Sequence, residues 1–180
     1  MKRSFSPQQL DVRAFAEEGA QLSGETPLAA FARLAAEASA DQPGQAVAWS
    51  ARGELRNPGH LHPEVWLHLE ASAALRLTCQ RCLEPVDVPL AVDRSFRFVA
   101  DEDTAAAQDE AAEEDVLAIS RSFDLPGLVE DELLMEVPAV PRHDVCPVPV
   151  RLSAADPDFD AGEPRENPFA RLKALKPGKS

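Results

Sequence analysis

Four residues with metal-binding side chains occur in two pairs, each with two residues between its members. Cys79 and Cys82 form the first pair, and His143 and Cys146 form the second. A turn of that length can bring two ligand atoms to the same side of the chain. Three thiolates and one imidazole make a set that suits the tetrahedral coordination of structural zinc. The sequence therefore predicts a candidate zinc site at Cys79, Cys82, His143 and Cys146.

Two other interpretations of the first cysteine pair are open at this point. Cys79 continues a strand-like alternation and could be a buried apolar residue, with Cys82 in a turn. A redox role would place the pair at the start of a helix, where the dipole lowers a thiol pKa. The residues that follow alternate like a strand and include Pro85, which disfavours that role. The sequence has no Gly-rich phosphate loop and no Gly-x-Ser-x-Gly nucleophile motif, so we assign no catalytic residue.

The first cysteine pair lies between two segments in which apolar and polar residues alternate with a period of two. Such alternation predicts strands with one face on a core and one face toward solvent. Short connections between the strands favour antiparallel neighbours, and Pro89 suggests an edge strand or a bulge. We predict that residues 45–98 form an antiparallel meander with the cysteine turn at one end.

Helical spacing of apolar residues occurs on both sides of this meander. Thr26 and Pro27 predict a helix start before residues 28–38, and Asp124 predicts the start of a second helix with Pro126 in its first turn. A short strand is expected at residues 116–119. The fold class is therefore α+β, an antiparallel β-meander packed with one or two helices.

Two segments lack any apolar period. Residues 100–115 are rich in Ala, Asp and Glu and are expected to be a disordered acidic loop. Residues 147–166 are rich in Pro and acidic residues, and residues 167–176 could form a short docking helix. We predict a single domain over residues 1–146, followed at 147–180 by a linker and a short C-terminal docking segment.

Composition limits the classes of partner. The 180 residues carry a formal net charge of −13, which disfavours nonspecific binding to phosphate backbones. No apolar run approaches the roughly 20 residues of a membrane helix, and three cysteines argue against a stapled secreted fold. We therefore expect a cytoplasmic protein with no membrane partner and no small-molecule substrate. One basic strip could face RNA, although scattered surface arginines explain it better; it comprises Arg76, Arg81, Arg94 and Arg97.

Three motifs in this order resemble the YceD family of large ribosomal RNA subunit accumulation proteins. They are CQRCLEP at 79–85, VEDELLMEVPAVPRH at 129–143 and NPFARLKALK at 167–176. Leu10-Asp11 and Leu22-Ser23-Gly24 also resemble the N-terminal segment of that family.

The resemblance implies a non-enzymatic ribosome-biogenesis factor that supports synthesis, processing or stability of 23S ribosomal RNA. It implies no catalytic residue, and it leaves structural zinc, the one possible cofactor, undecided. The expected partner is a ribosome-assembly component, either a basic protein or the 23S rRNA precursor. The alternative function is a structural-zinc adaptor that binds a basic protein partner.

Overall fold

The structure, a computed structural model, describes residues 3–39 and 44–150. The chain divides into a unit of residues Met1–Pro149 and a unit of residues Val150–Ser180. The regular elements, apart from a 3-10 turn at Leu28–Ala30, are α1 (Val12–Glu17), β1 (Gln21–Pro27), α2 (Ala32–Glu37), β2 (Ala46–Arg56), β3 (Glu64–Thr78), β4 (Pro85–Val99), α3 (Glu102–Asp109), β5 (Asp115–Ala118) and α4 (Leu125–Met135). No helix in the described ranges is long and apolar enough to cross a membrane.

The five strands form one sheet in the order in which they occur along the chain. Strands β1 to β4 pair antiparallel, whereas β5 pairs parallel to β4 through Phe96–Val99 only. The predicted meander over residues 45–98 and the α+β class are therefore confirmed. The strand predicted at residues 116–119 is also confirmed, as β5, with its bounds one residue earlier.

One face of the sheet carries the main hydrophobic core, because the apolar residues of β3 and β4 fall at alternate positions. Leu67 pairs with Phe96 and Leu75 pairs with Val88, and three of these four side chains are fully buried or nearly so. The same cluster includes Phe15 of α1, Leu34 of α2 and residues of α4. Those helices therefore cover this face and hold β3 in the middle of the domain.

The opposite face carries a smaller buried group, Trp66, Ala105 and Val116, which does not belong to the main cluster.

The prediction of a disordered loop over residues 100–115 is wrong, since Glu102–Asp109 form α3. Asp101 caps this helix by accepting a hydrogen bond from the Thr104 amide at 2.8 Å. The acidic composition concealed a capped helix with favourable acids in its first turn, and burial of Ala105 anchors it.

The helix predicted to begin at Thr26 is also wrong at its start. Thr26 and Pro27 belong to β1, and the α-helix begins only at Ala32. The residues of β1 show no clear apolar alternation from which a strand could be predicted. β1 is an edge strand, and it pairs with β2 from Gln21 to Pro27. Its hydrogen-bonding partner, a long-range feature, decides its conformation. α1 was not predicted either.

The helix predicted after Asp124 is confirmed as α4, with Pro126 in its first turn. Asp124 occupies the N-cap position, but its side chain makes no capping hydrogen bond. The helix ends at Met135, before Pro138. The domain boundary at residue 146 stays a prediction, and the proposed docking segment at 167–176 lies outside the described residues.

Candidate metal centre

The turn between β3 and β4 positions the first cysteine pair. The Cys79 amide donates to the Glu84 carbonyl at 2.9 Å, and the Leu83 amide donates to the Cys79 carbonyl at 2.8 Å. Leu83 has a φ of 65°, a left-handed conformation that costs a non-glycine residue about 1–2 kcal/mol. Cys79 is buried, whereas Leu83 is 74% exposed. The turn therefore folds back on the cysteines and leaves an apolar side chain in solvent.

The segment after α4, residues 137–146, supplies the second pair, and we call it the C-terminal arm. Its Pro141 carbonyl accepts a hydrogen bond from the Gln80 amide at 2.9 Å. This bond joins the arm to the cysteine turn across about sixty residues of sequence. The proline residues that end α4 leave the arm without regular secondary structure, so contacts of this kind fix its position.

The structure brings together all four residues that the sequence predicted. Their ligand atoms lie within 4.8 Å of one another. Cys79 Sγ lies 4.0 Å from Cys146 Sγ, and Cys82 Sγ lies 3.5 Å from His143 Nδ1. A tetrahedral zinc with sulfur at about 2.3 Å and nitrogen at about 2.05 Å would separate such pairs by about 3.8 Å and about 3.5 Å respectively. The cluster therefore has the composition and the spacing of a site that could hold a metal.

His143 already has the tautomer that a ligand needs. Its Nε2 lies 3.0 Å from the carbonyl oxygen of Pro85, which can only accept. In the neutral imidazole the proton therefore resides on Nε2, and Nδ1 faces Cys82 as an acceptor. Metal-ligating histidines usually donate their second nitrogen to a carbonyl or a carboxylate in this way. Sequence reasoning missed this role of Pro85, because a backbone carbonyl leaves no signal in residue type.

Arg81 lies beside the cluster and joins the cysteine turn to the arm. Its Nε donates to Cys146 Sγ at 3.0 Å, and its Nη2 donates to the carbonyls of His143 and Asp144 at 2.8 and 3.2 Å. Three thiolates around a divalent metal leave one negative charge in excess, which a guanidinium at this position balances. The sequence placed Arg81 in a basic strip, whereas its donors are directed at the candidate site.

The environment of the thiols already favours one thiolate. Burial acts to raise the pKa of Cys79, but nearby backbone amides, first that of Cys82 and then that of His143, outweigh burial and lower the pKa to about 5. Burial raises the pKa of Cys82 to about 11. A metal binds thiolates, so its binding would release the proton that Cys82 holds at neutral pH.

The other arginines of the predicted basic strip do not form a free cationic surface. Arg94 pairs with Leu69 and so lies on the core face, where it contacts Glu132 and Asp115. On the second face, Arg97 pairs with Glu114 and Arg76 pairs with Asp87. The arginines therefore do not form one strip on a single face, which agrees with the interpretation as scattered arginines.

The carboxylates of α4 have structural partners. Glu130 accepts hydrogen bonds from the Arg33 and Leu34 amides at 2.7 and 3.2 Å and from the Arg33 guanidinium. Glu132 is 4% exposed, and its Oε2 lies 3.3 Å from Arg94 Nε without hydrogen-bond alignment. These contacts connect α4 to α2 and to the sheet.

Comparison with known proteins is consistent with this organisation. The family model of the large ribosomal RNA subunit accumulation protein YceD matches residues 67–176, which include most of β3 and all of β4, α4 and the candidate metal centre. A curated relative, the large ribosomal RNA subunit accumulation protein YceD of Haemophilus influenzae, is 36% identical over 104 residues. The match covers 56% of this chain and 59% of the relative. No solved structure matches. Because the family model spans more than half of its residues, this chain belongs to the YceD family.

Proposed function

We propose that this chain is a non-enzymatic factor of bacterial ribosome biogenesis that supports synthesis, processing or stability of 23S ribosomal RNA in the cytoplasm. The observation that carries the proposal is the family match over residues 67–176. The name of the relative refers to accumulation of large-subunit ribosomal RNA. Two acidic residues of α4, Glu130 and Glu132, contact α2 and the sheet, which agrees with a structural role for both.

The test is the ratio of 23S to 16S ribosomal RNA in a deletion strain, measured during slow and fast growth. We expect a lower ratio that a plasmid copy of the gene restores. A deletion strain with a normal ratio at both growth rates contradicts the proposal. Affinity purification with and without RNase then separates the two expected partners, because a 23S precursor is lost after RNase whereas a basic protein is retained.

The second candidate is an adaptor whose fold includes structural zinc and whose partner is a basic protein. The Cys3His spacing and the Nε2 bond of His143 to Pro85 favour it. Because the two cysteines of the turn and the two ligands of the arm belong to different segments, a metal would fix the arm to the turn. The net charge of −13 favours a basic partner.

Zinc content of the purified chain tests this candidate. We expect one zinc per chain, with X-ray absorption distances of about 2.3 Å to sulfur and about 2.0–2.1 Å to nitrogen. His143→Asn should reduce zinc affinity, whereas His62→Asn, in the exposed loop between β2 and β3, is the matched control and should not. Equal zinc content in both variants would refute His143 as a ligand.

A further inference from the structure

The outer edge of β4 is only partly paired. β5 pairs with Phe96–Val99, and no other described strand pairs with the outer side of residues 86–95. The carbonyl of Val99 accepts a hydrogen bond from the Ile119 amide, and the carbonyl of Pro85 accepts one from His143. Both carbonyls therefore point away from β3, toward the outer side of β4. The register between β3 and β4 is continuous, so the backbone groups of alternate residues point outward. Unpaired donors and acceptors are therefore presented by Asp87, Ala91 and Asp93, and an acceptor alone by Pro89.

The C-terminal arm lies opposite the start of this edge. A cavity of about 700 Å³ separates the two; β4 lines it with Val86 and Val88, and the arm forms a wall with Pro138, Val140 and Pro141. Charged or polar side chains also line it, namely Arg81, Asp87, Arg142, His143 and Asp144. That volume is in the range of about 300–1,000 Å³ that is usual for ligand sites. Val140 is 56% exposed, so the wall offers apolar surface to an occupant. We call the open edge and this cavity together the β4 groove.

The groove depends on the contacts of the candidate metal centre. His143 holds the arm to Pro85 at the closed end of the groove. Arg81 holds the next carbonyls of the arm, and it lines the same cavity. The two ligand pairs therefore set the separation between the wall and the strand edge.

We propose that the β4 groove binds an extended basic segment of a partner protein, which adds to the sheet as a strand beside β4. The open backbone groups recognise another extended backbone, as in known cases of strand addition. The apolar walls would receive alternate side chains of that segment. The net charge of −13 favours a basic segment over a nucleic acid, and Asp93, which lies opposite Glu70 in the ladder, adds acidic charge along the edge, whereas Asp87 is already paired with Arg76. This inference rests on the proposed function, because it gives the assembly partner a chemistry and a docking site.

A second copy of this chain fits the groove less well. Pairing of two β4 edges would place a whole second sheet beside β4, where the arm already stands across the cavity. A single extended segment can enter between the arm and the strand, whereas a sheet needs the arm to move.

The probe is a library of random 12-residue peptides displayed on phage and selected against the purified full chain. The selected peptide is then titrated against two variants at one position. Ala91→Pro removes an outward amide without breaking the ladder to β3, and Ala91→Val keeps the amide and is the matched control. Because Ala91 is exposed on β4, both variants should fold, which thermal unfolding verifies. Val140→Asp tests the wall in the same assay.

We expect selected peptides that alternate apolar and basic residues. Ala91→Pro should weaken their binding roughly two- to tenfold, as for loss of one hydrogen bond, and Ala91→Val should not. Bound peptide should slow hydrogen exchange of the amides of Asp87, Ala91 and Asp93. Equal binding by the two Ala91 variants overturns the proposal. The proposal is also overturned if the chain without peptide is a dimer that Ala91→Pro dissociates. It is likewise overturned if a 23S RNA fragment, and not the peptide, protects the same amides.

Peptide binding in vitro tests the groove, whereas the 23S to 16S ratio in cells tests the biogenesis role, so the two proposals can be refuted separately. A normal ratio in the deletion strain refutes the biogenesis role even when the groove binds peptide. Loss of peptide binding in Ala91→Pro with full restoration of the ratio in the deletion strain overturns the groove as the assembly site, while the family function stands.

Discussion

Glu130 should stabilise the domain mainly by capping a helix that lies nearly one hundred residues earlier. The N-cap of α2 is Phe31, whose side chain makes no capping bond. Glu130 Oε1 instead accepts from the Arg33 and Leu34 amides, which are the N2 and N3 positions of that helix. Loss of an N-cap acceptor costs about 1 kcal/mol and up to about 2 kcal/mol.

The ion pair at the same place should contribute less. Arg33 is 56% exposed in its side chain, whereas that of Glu130 is 12% exposed. Exposed pairs contribute about 0–1 kcal/mol, so Glu130→Ala should cost about 2 kcal/mol in all and Arg33→Ala about 0.5 kcal/mol. The backbone amide of residue 33 is retained in the second variant. For a domain of this size we expect the Tm to fall by about 4–8 °C and about 1–2 °C respectively.

Thermal and urea unfolding of both variants test this order, and Asp131→Ala is the control, because it removes only an exposed ion pair to Arg33 and leaves the cap in place. Burial acts to raise the pKa of Glu130, but hydrogen bonds from the Leu34 amide and from the guanidinium and amide of Arg33 together outweigh burial, so the pKa is lowered. The stabilisation is therefore present above the unfolded pKa and is lost as pH falls through the folded pKa. Equal losses from Glu130→Ala and Arg33→Ala would show that the ion pair, and not the cap, is responsible.

Two further predictions concern the core. Burial raises the pKa of Glu132 despite the attraction of Arg94, so wild-type stability should fall as pH rises from the ordinary Glu pKa through the raised one. Glu132→Gln removes that dependence, and its stability relative to wild type should increase over the same pH window in urea unfolding. Gly53→Ala should lower the free energy of unfolding by about 1–3 kcal/mol, because the new Cβ would lie 2.7 Å from the buried Phe15 carbonyl. Gly59→Ala, with open space around it, should leave the Tm unchanged within about 1 °C.

The features that the sequence predicted well are those with a local cause. Alternation of apolar residues requires only one buried face, and the spacing of the cysteine pair requires only a turn. The features that it missed depend on residues far apart in the chain. The capping of α2 by Glu130 joins positions 97 residues apart, and the Pro85 carbonyl that orients His143 has no residue-type signal. β1 likewise forms because β2 offers an edge, since its own residues are mostly polar or small.

The stretch from Val129 to Cys146 couples the core of the domain to the candidate metal centre. Its first turns are held by Glu130 to α2 and by Glu132 near Arg94, and its end carries His143 and Cys146. Between these ends the arm has no regular secondary structure, and few side chains anchor it. The sheet is held by its own ladders and by a core cluster whose buried members all lie outside the arm. Loss of a metal should therefore disturb the β4 groove before it disturbs the sheet, because local contacts open at lower free energy than the global fold.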